Sequence, residues 1–226
     1  MIGIISDIHG NLEALKSVLA SGKEHNITQW VCLGDIVGYG ADPEACIHLV
    51  RETCHFVVLG NHDEAAIQNI GPDDFNPMAQ QAILWTRLQL SSESRSWLQS
   101  LPLTIHDKIR LYVHASPRNP SDWNYVYTAS EAQRQISDLD ASIRSCYIGH
   151  THEPFRYVGS NGVELINVGS VGQPRDGDQR ASYALIDESK QESYIVRIPY
   201  DIERARHRII EENLPLFLAD RLLVGH

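Results

Sequence analysis

Short apolar runs that end in Asp, Asn or His recur along this chain. Residues 1–6 run into Asp7-Ile8-His9, and Trp30-Val31-Cys32-Leu33 runs into Gly34-Asp35. Residues 55–59 run into Gly60-Asn61-His62-Asp63, 109–113 into His114, and 146–148 into Gly149-His150-Thr151-His152. Such runs, bounded by turn formers, predict buried strands. Leu12, Leu15, Val18 and Leu19 recur at helical spacing after the turn Gly10-Asn11, and Asp42-Pro43 supplies an N-cap and first position for a helix through about Glu52. This β-α-β-α-β order predicts parallel pairing of the first three strands. A carboxylate at the C-terminal end of a strand then points into the crevice where such folds bind ligands. Asp35 stands centrally among four other such strand ends.

The pattern changes over residues 64–103. Gly71-Pro72-Asp73-Asp74 and Asn76-Pro77 punctuate the chain, and 78–90 and 92–101 read as helices, with Ser91 or Ser92 as a cap and Glu93 in the first turn. This helical insertion is expected to cap the site, with Trp85 and Trp97 packing it down as core. A long loop from Ser116 to Asp122 leads to a helix near 129–142. From Pro154 the pattern is β only: 155–158, 163–167, 181–187 and 193–198, with Asn161-Gly162 as a hairpin turn. A final amphipathic helix is expected from Tyr200. The fold class is therefore α/β, turning to α+β in the second half. With no repeat, low-complexity run or linker, the 226 residues read as one domain.

Composition narrows the partners. A net charge of −10 argues against a grip on long nucleic acid, whereas a small phosphate ester is compatible with bound cations that reverse the field locally. Cys32, Cys46, Cys54 and Cys146 form no CxxC pair and read as reduced core residues. The first residues are too short for a signal segment, and no run approaches membrane-spanning length. A cytoplasmic location and no membrane partner are the expectation.

Each strand-end motif has an ordinary structural explanation, since Asp, Asn and His are common in loops and caps. Together they do not. Five of the eleven histidines follow predicted strands, beside Asp7, Asp35, Asn61 and Asp63. Imidazole and carboxylate without thiolate suit first-row divalent metals in an open site rather than a structural zinc site.

The series Asp7-x-His9, Gly34-Asp35, Gly60-Asn61-His62-Asp63, His114 and Gly149-His150-x-His152 resembles the calcineurin-like metallophosphoesterase superfamily. Gly34-Asp35-Ile36-Val37-Gly38-Tyr39-Gly40 and the string from Asn167 to Arg175 resemble its small single-domain bacterial and archaeal branch. The resemblance implies a β-sandwich flanked by helices over roughly residues 1–200, with the small helical cap insertion. It also implies two divalent ions, from among Mn, Fe, Zn, Ni and Mg with Mn favoured. Asp7, His9, Asp35 and His152 would hold one; Asp35, Asn61, His114 and His150 would hold the other, with Asp35 bridging. Two such ions ~3.5–4 Å apart generate a bridging hydroxide and clamp the phosphoryl oxygens. His62 would act from the leaving-group side, by stabilising charge or donating a proton. The implied activity is hydrolysis of phosphomonoesters or phosphodiesters, with nucleotides and dinucleoside polyphosphates among the candidate substrates.

One departure stands out. The protein serine/threonine phosphatases of the superfamily carry a second Asp three residues after the bridging one. Gly38 stands there in this chain, so the usual acidic partner of His62 is missing; Asp63 could serve instead, though its place beside His62 does not by itself show that it does. Arg118 and Arg175 are basic residues near the motif loops that could hold a phosphate bidentately, and Asn11 is a further substrate-contact candidate. The competing reading is a catalytically silent scaffold of the same fold that binds proteins; an acidic chain without a large second domain disfavours a nuclease.

Overall fold

Alternate residues of a strand face opposite ways, and the inner strands of this chain are buried on both faces. In β1 (Ile2–Ile5), Ile2 and Ile4 join one buried cluster while Ile5 joins another. Two-sided burial is what a sheet covered on both faces demands. The computed structural model describes residues 1–68 and 75–226, so the Gly71-Pro72-Asp73-Asp74 punctuation lies outside the described residues.

β1 pairs in parallel with β2 (Gln29–Cys32), which pairs in parallel with β3 (Cys54–Val57), as the β-α-β-α-β order predicts. The intervening helices are α1 (Leu12–Glu24) and α2 (Pro43–Thr53). Asn11 caps α1 by accepting the Ala14 N–H at 3.1 Å. Asp42 precedes α2 as expected, but its carboxylate makes no capping bond and instead accepts from Arg208 Nε at 3.2 Å. β9 (Ala181–Asp187) and β10 (Glu192–Ile198) return antiparallel to the free side of β1, giving the sheet order β10-β9-β1-β2-β3.

The second sheet has the order β4-β5-β6-β8-β7, built from β4 (Thr104–Asp107), β5 (Arg110–Val113), β6 (Ser145–Ile148), β7 (Phe155–Val158) and β8 (Glu164–Asn167). β5, β6 and β8 are parallel; β4 and β7 close the edges antiparallel. The α/β start and the β-only stretch from Phe155 are both present as expected, and they share sheets, because β9 and β10 join β1. Ile4, Val31 and Leu33 meet Tyr112, Tyr147 and Ile166 between the sheets, which makes the molecule a β-sandwich with helices on its outer faces. α1 and α2 cover the first sheet, and α6 (Ala129–Ile136) covers the second. The helix expected over 129–142 ends at Ile136.

α3 (Asn61–Ile67), α4 (Pro77–Gln89) and α5 (Ser92–Gln99) occupy the insertion. Ser91 caps α5 by accepting from Ser94 N–H, and Leu98 and Trp97 of α5 pack into the core over the first sheet. Trp85 packs with the C-terminal helices α7 (Ile202–Glu211) and α8 (Leu216–Asp220). Both tryptophans are partly buried and pack against the core, as expected of packing residues. The four cysteines are free, and burial pushes their thiols up, that of Cys54 to about 12. Among the described residues no helix is long and apolar enough to cross a membrane.

Candidate metal centre

Parallel β1, β2 and β3 in one sheet and β5 and β6 in the other deliver their C-terminal loops to a common place. The loops are stitched to one another through backbone: Asp7 N–H donates to Gly34 O at 3.1 Å, His9 N–H to Asp35 O at 2.9 Å, and Gly149 N–H to His114 O at 2.8 Å. The chain bends sharply there. Asp7, His9, Asp35, His150 and His152 all adopt left-handed backbone, with φ between 50° and 66°. An L-residue pays about 1–2 kcal/mol for that conformation, less for Asp and His than for most. Five such residues converging on one spot mark stored strain of the kind found at functional sites.

Asp7, His9, Asp35, His114 and His152 are essentially inaccessible, and His150 is 5 % exposed. Asp7, His9 and His152 offer ligand atoms within 4.8 Å of one another; so do Asp35, His114 and His150. Asp35 Oδ2 lies 3.4 Å from His114 Nε2 and 3.6 Å from His9 Nε2, one from each group, so Asp35 is placed between them. Asp7 Oδ1 lies 3.2 Å from His152 Nε2 and accepts no hydrogen bond. Asn61 Oδ1 is 3.0 Å from His114 Nε2.

Each histidine is tethered by its outward nitrogen. His9 Nδ1 donates to Val37 O at 3.1 Å, His114 Nδ1 to Leu33 O at 2.9 Å, and His152 Nδ1 to Gln173 O at 2.6 Å. His150 uses Nε2, donating to Trp123 O at 2.9 Å. A carbonyl only accepts, so the tethered nitrogen carries a proton, and in the neutral ring the other nitrogen is left with a lone pair to offer a metal. That second bond is the arrangement that orients a metal-ligating imidazole. His9 Nε2 and His152 Nε2 face each other at 3.0 Å, lone pair to lone pair, beside the unpartnered Asp7 Oδ1. A divalent cation satisfies that geometry, and the residues present fit one.

The charge balance agrees for three of these four histidines. Burial lowers His9, His152 and His150, the last to about 3, keeping these imidazoles neutral as ligands must be. His114 is the exception: burial would also lower it, but Asp35 and Asp7 outweigh burial and raise it to about 9, so this ring must release a proton to become a ligand. Burial likewise opposes ionisation of Asp35, yet His114, His62 and His9 hold its carboxyl well below the usual carboxylate range.

His62 opens α3 beside this cluster, its N–H donating to Asp35 Oδ1 at 2.8 Å. Burial lowers its imidazole to about 4. Asp63 does not partner it: that carboxylate accepts from the backbone N–H groups of Ile36, Val37 and Gly60. His62 Nδ1 is buried without a hydrogen bond. It abuts Gly38, where an added Cβ would stand 2.6 Å from Nδ1, so the residue that replaces the protein phosphatases' second Asp touches the ring that Asp would serve. Gly38 also has φ +89°, a region L-residues avoid. Gly38→Ala is expected to displace the His62 ring and lower kcat by about 10²-fold, the scale of a 1 Å misplacement. Metal content should be unchanged, and steady-state kinetics beside elemental analysis checks both.

A cavity of about 440 Å³ opens over Asp35, Asn61, His62, His150 and His152, within the range of small-molecule sites. Arg175 lines it, with its Nη2 2.9 Å from Gln173 Oε1, its guanidinium over the Tyr39 ring and its Nε buried without a partner. Arg118 is 60 % exposed, pairs with Asp138 at 3.6 Å and is absent from the lining. The Asn11 side chain is occupied structurally, capping α1 and donating to Gly172 O at 2.9 Å. From the insertion, Glu64, Ala65, Gln68, Phe75, Asn76 and Arg87 reach the rim, whereas α5 packs away from it. Sequence reasoning missed Trp123, Tyr125 and Phe75, which line the cavity; the aromatic sequence Trp123-Asn124-Tyr125-Val126-Tyr127 was the available signal.

Residues 1–191 match the family model of the calcineurin-like phosphoesterase superfamily domain. The whole chain is 39 % identical, over 243 aligned residues covering 98 % of the relative, to an uncharacterized protein of Methanocaldococcus jannaschii. It is 38 % identical to a metallophosphoesterase from Sphaerobacter thermophilus, whose crystal structure matches with a TM-score of 0.88 over 100 % of this chain and 98 % of the other. A hypothetical protein from Pyrococcus horikoshii shares the fold at a TM-score of 0.88 and 22 % identity, over 100 % of this chain and 99 % of its own.

Proposed function

Because the chain belongs to the calcineurin-like phosphoesterase superfamily, we propose that it is a dinuclear-metal-dependent hydrolase of small phosphate esters. The observation that carries this reading is the set of four histidines, each tied outward to a carbonyl and each grouped within ligand reach of a buried carboxylate below an open cavity. Asp7, His9, Asp35 and His152 would hold one divalent ion, and Asp35, Asn61, His114 and His150 the other. Such a pair of ions, when bound, lowers the pKa of a water and neutralises charge on the phosphoryl oxygens.

The chain's own residues account for the rest. Asp35 sets the spacing of the two groups, because its carboxylate reaches both and its Oδ1 is fixed by the His62 N–H. His62 faces the cavity and would place a hydrogen bond on the leaving oxygen as its charge develops. Arg175, which is paired with no carboxylate among the described residues and borders the same cavity, would hold a second substrate oxygen. A net charge of −10 restricts substrates to small esters drawn by the local cations rather than long nucleic acid.

The test is hydrolysis of p-nitrophenyl phosphate and bis-p-nitrophenyl phosphate by chelator-stripped protein before and after Mn²⁺ is added. Turnover that appears only with metal is expected, and the preferred ester assigns monoesterase or diesterase. No turnover with any divalent metal would overturn the reading.

A further inference from the structure

We propose that Trp123 is a positioning residue that sets the affinity of one of the two ion sites, the one formed by Asn61, His114 and His150, without serving as a ligand. The inference rests on the two-ion reading above. The two groups of ligands are not held alike. His9 and His152 are fixed by Val37 O and Gln173 O, in loops stitched into the first sheet. In the other group, His114 is fixed by Leu33 O, but the ring of His150 takes its hydrogen bond from Trp123 O, in the loop between β5 and α6.

Trp123 contacts both histidines of that group and the helix that begins with its Asn61. Its carbonyl accepts from His150 Nε2 at 2.9 Å. Its indole meets the His114 ring edge to face, 5.9 Å between centroids at 70°. Its indole N–H donates to Glu64 Oε2 at 3.0 Å, and Glu64 lies on α3, whose first residue is Asn61. The backbone at Trp123 is left-handed, φ 51°, an outlier for a bulky residue, so the carbonyl stays aimed at His150 only while the side chain is anchored. The indole and its bond to Glu64 are that anchor. Tyr125 stacks against the His150 ring at 4.0 Å and 22°.

The experiment is a calorimetric or equilibrium-dialysis titration of metal-free protein with Mn²⁺, resolving both binding steps, for wild type, Trp123→Ala, Trp123→Phe, Glu64→Ala and Glu64→Gln. Loss of an outer-shell contact weakens metal binding about 10–100-fold. Trp123→Ala is expected to weaken one ion by that factor and leave the other unchanged. Glu64→Ala and Trp123→Phe, which both remove the bond between the indole and Glu64, should weaken the same ion, whereas Glu64→Gln, which keeps an acceptor for the indole N–H, should recover most of the affinity. Thermal melting of the metal-free variants controls for folding. Unaltered binding of both ions in Trp123→Ala, or equal weakening of both in a folded protein, would overturn the proposal. Failure of the wild type to bind a second ion would instead refute the two-ion reading.

Discussion

Asp35→Asn is expected to abolish metal-dependent hydrolysis while leaving the chain folded. Asn matches Asp in volume and keeps an oxygen to accept the His62 N–H, so neither the turn nor the start of α3 loses its contacts. What disappears is a buried negative charge lying between the two ligand groups. Removing one partner of a buried charge pair costs about 3–5 kcal/mol. At about 1.4 kcal/mol per tenfold change, metal affinity falls by roughly 10²- to 10⁴-fold. Because Asp35 touches both groups, both ions should weaken, unlike the one-sided effect expected of Trp123. Elemental analysis after dialysis, beside circular dichroism, separates this outcome from unfolding. Retention of two ions by folded Asp35→Asn would remove Asp35 from its bridging place.

His62→Ala gives the complementary result: both ions retained and kcat lowered by about 10²- to 10⁴-fold, the contribution of one positioned acid or hydrogen-bond donor. The geometry makes this a sharp comparison, because His62 also lies within ligand distance of His9 and Asp35. Were His62 a ligand, the variant would lose an ion along with its turnover. Its ring is held by packing against Tyr39, Phe75 and His9 rather than by a tethered nitrogen. The four histidines assigned as ligands all have such a tether, and that contrast favours a role toward substrate. KM should move less than kcat, since the hydrogen bond strengthens as charge develops on the leaving oxygen.

Much of the site was legible in the sequence because strand ends are local features. An apolar run followed by Asp or His shows both where the chain leaves the sheet and which group it delivers there, as at Ser6-Asp7 and Leu33-Gly34-Asp35. Elements without such a run were missed. β4, Thr104-Ile105-His106-Asp107, has one strongly apolar residue and lies on a sheet edge, so it carries little hydrophobic signal. α3 begins at Asn61 after Gly60, with no Ser or Thr cap; Asp63 supplies the bond to the Gly60 N–H from inside the helix. The return of β9 to β1 is a long-range pairing that alternation along one strand cannot reveal. Asp63 looked like a partner for His62 because they are adjacent, but neighbours on a helix do not face each other. Trp123 escaped notice for a different reason: its contact with His150 runs through a main-chain carbonyl, which every residue possesses.

The central claim is that two divalent ions are held between Asp7 and His150, with Asp35 shared. It is tested most directly by the metal content of chelator-stripped protein reloaded with Mn²⁺ and dialysed to equilibrium, read alongside hydrolysis of the same samples. Two ions per chain are expected, with hydrolysis rising as the second ion binds. A plateau at one ion or none, or hydrolysis that persists in stripped protein, would contradict it.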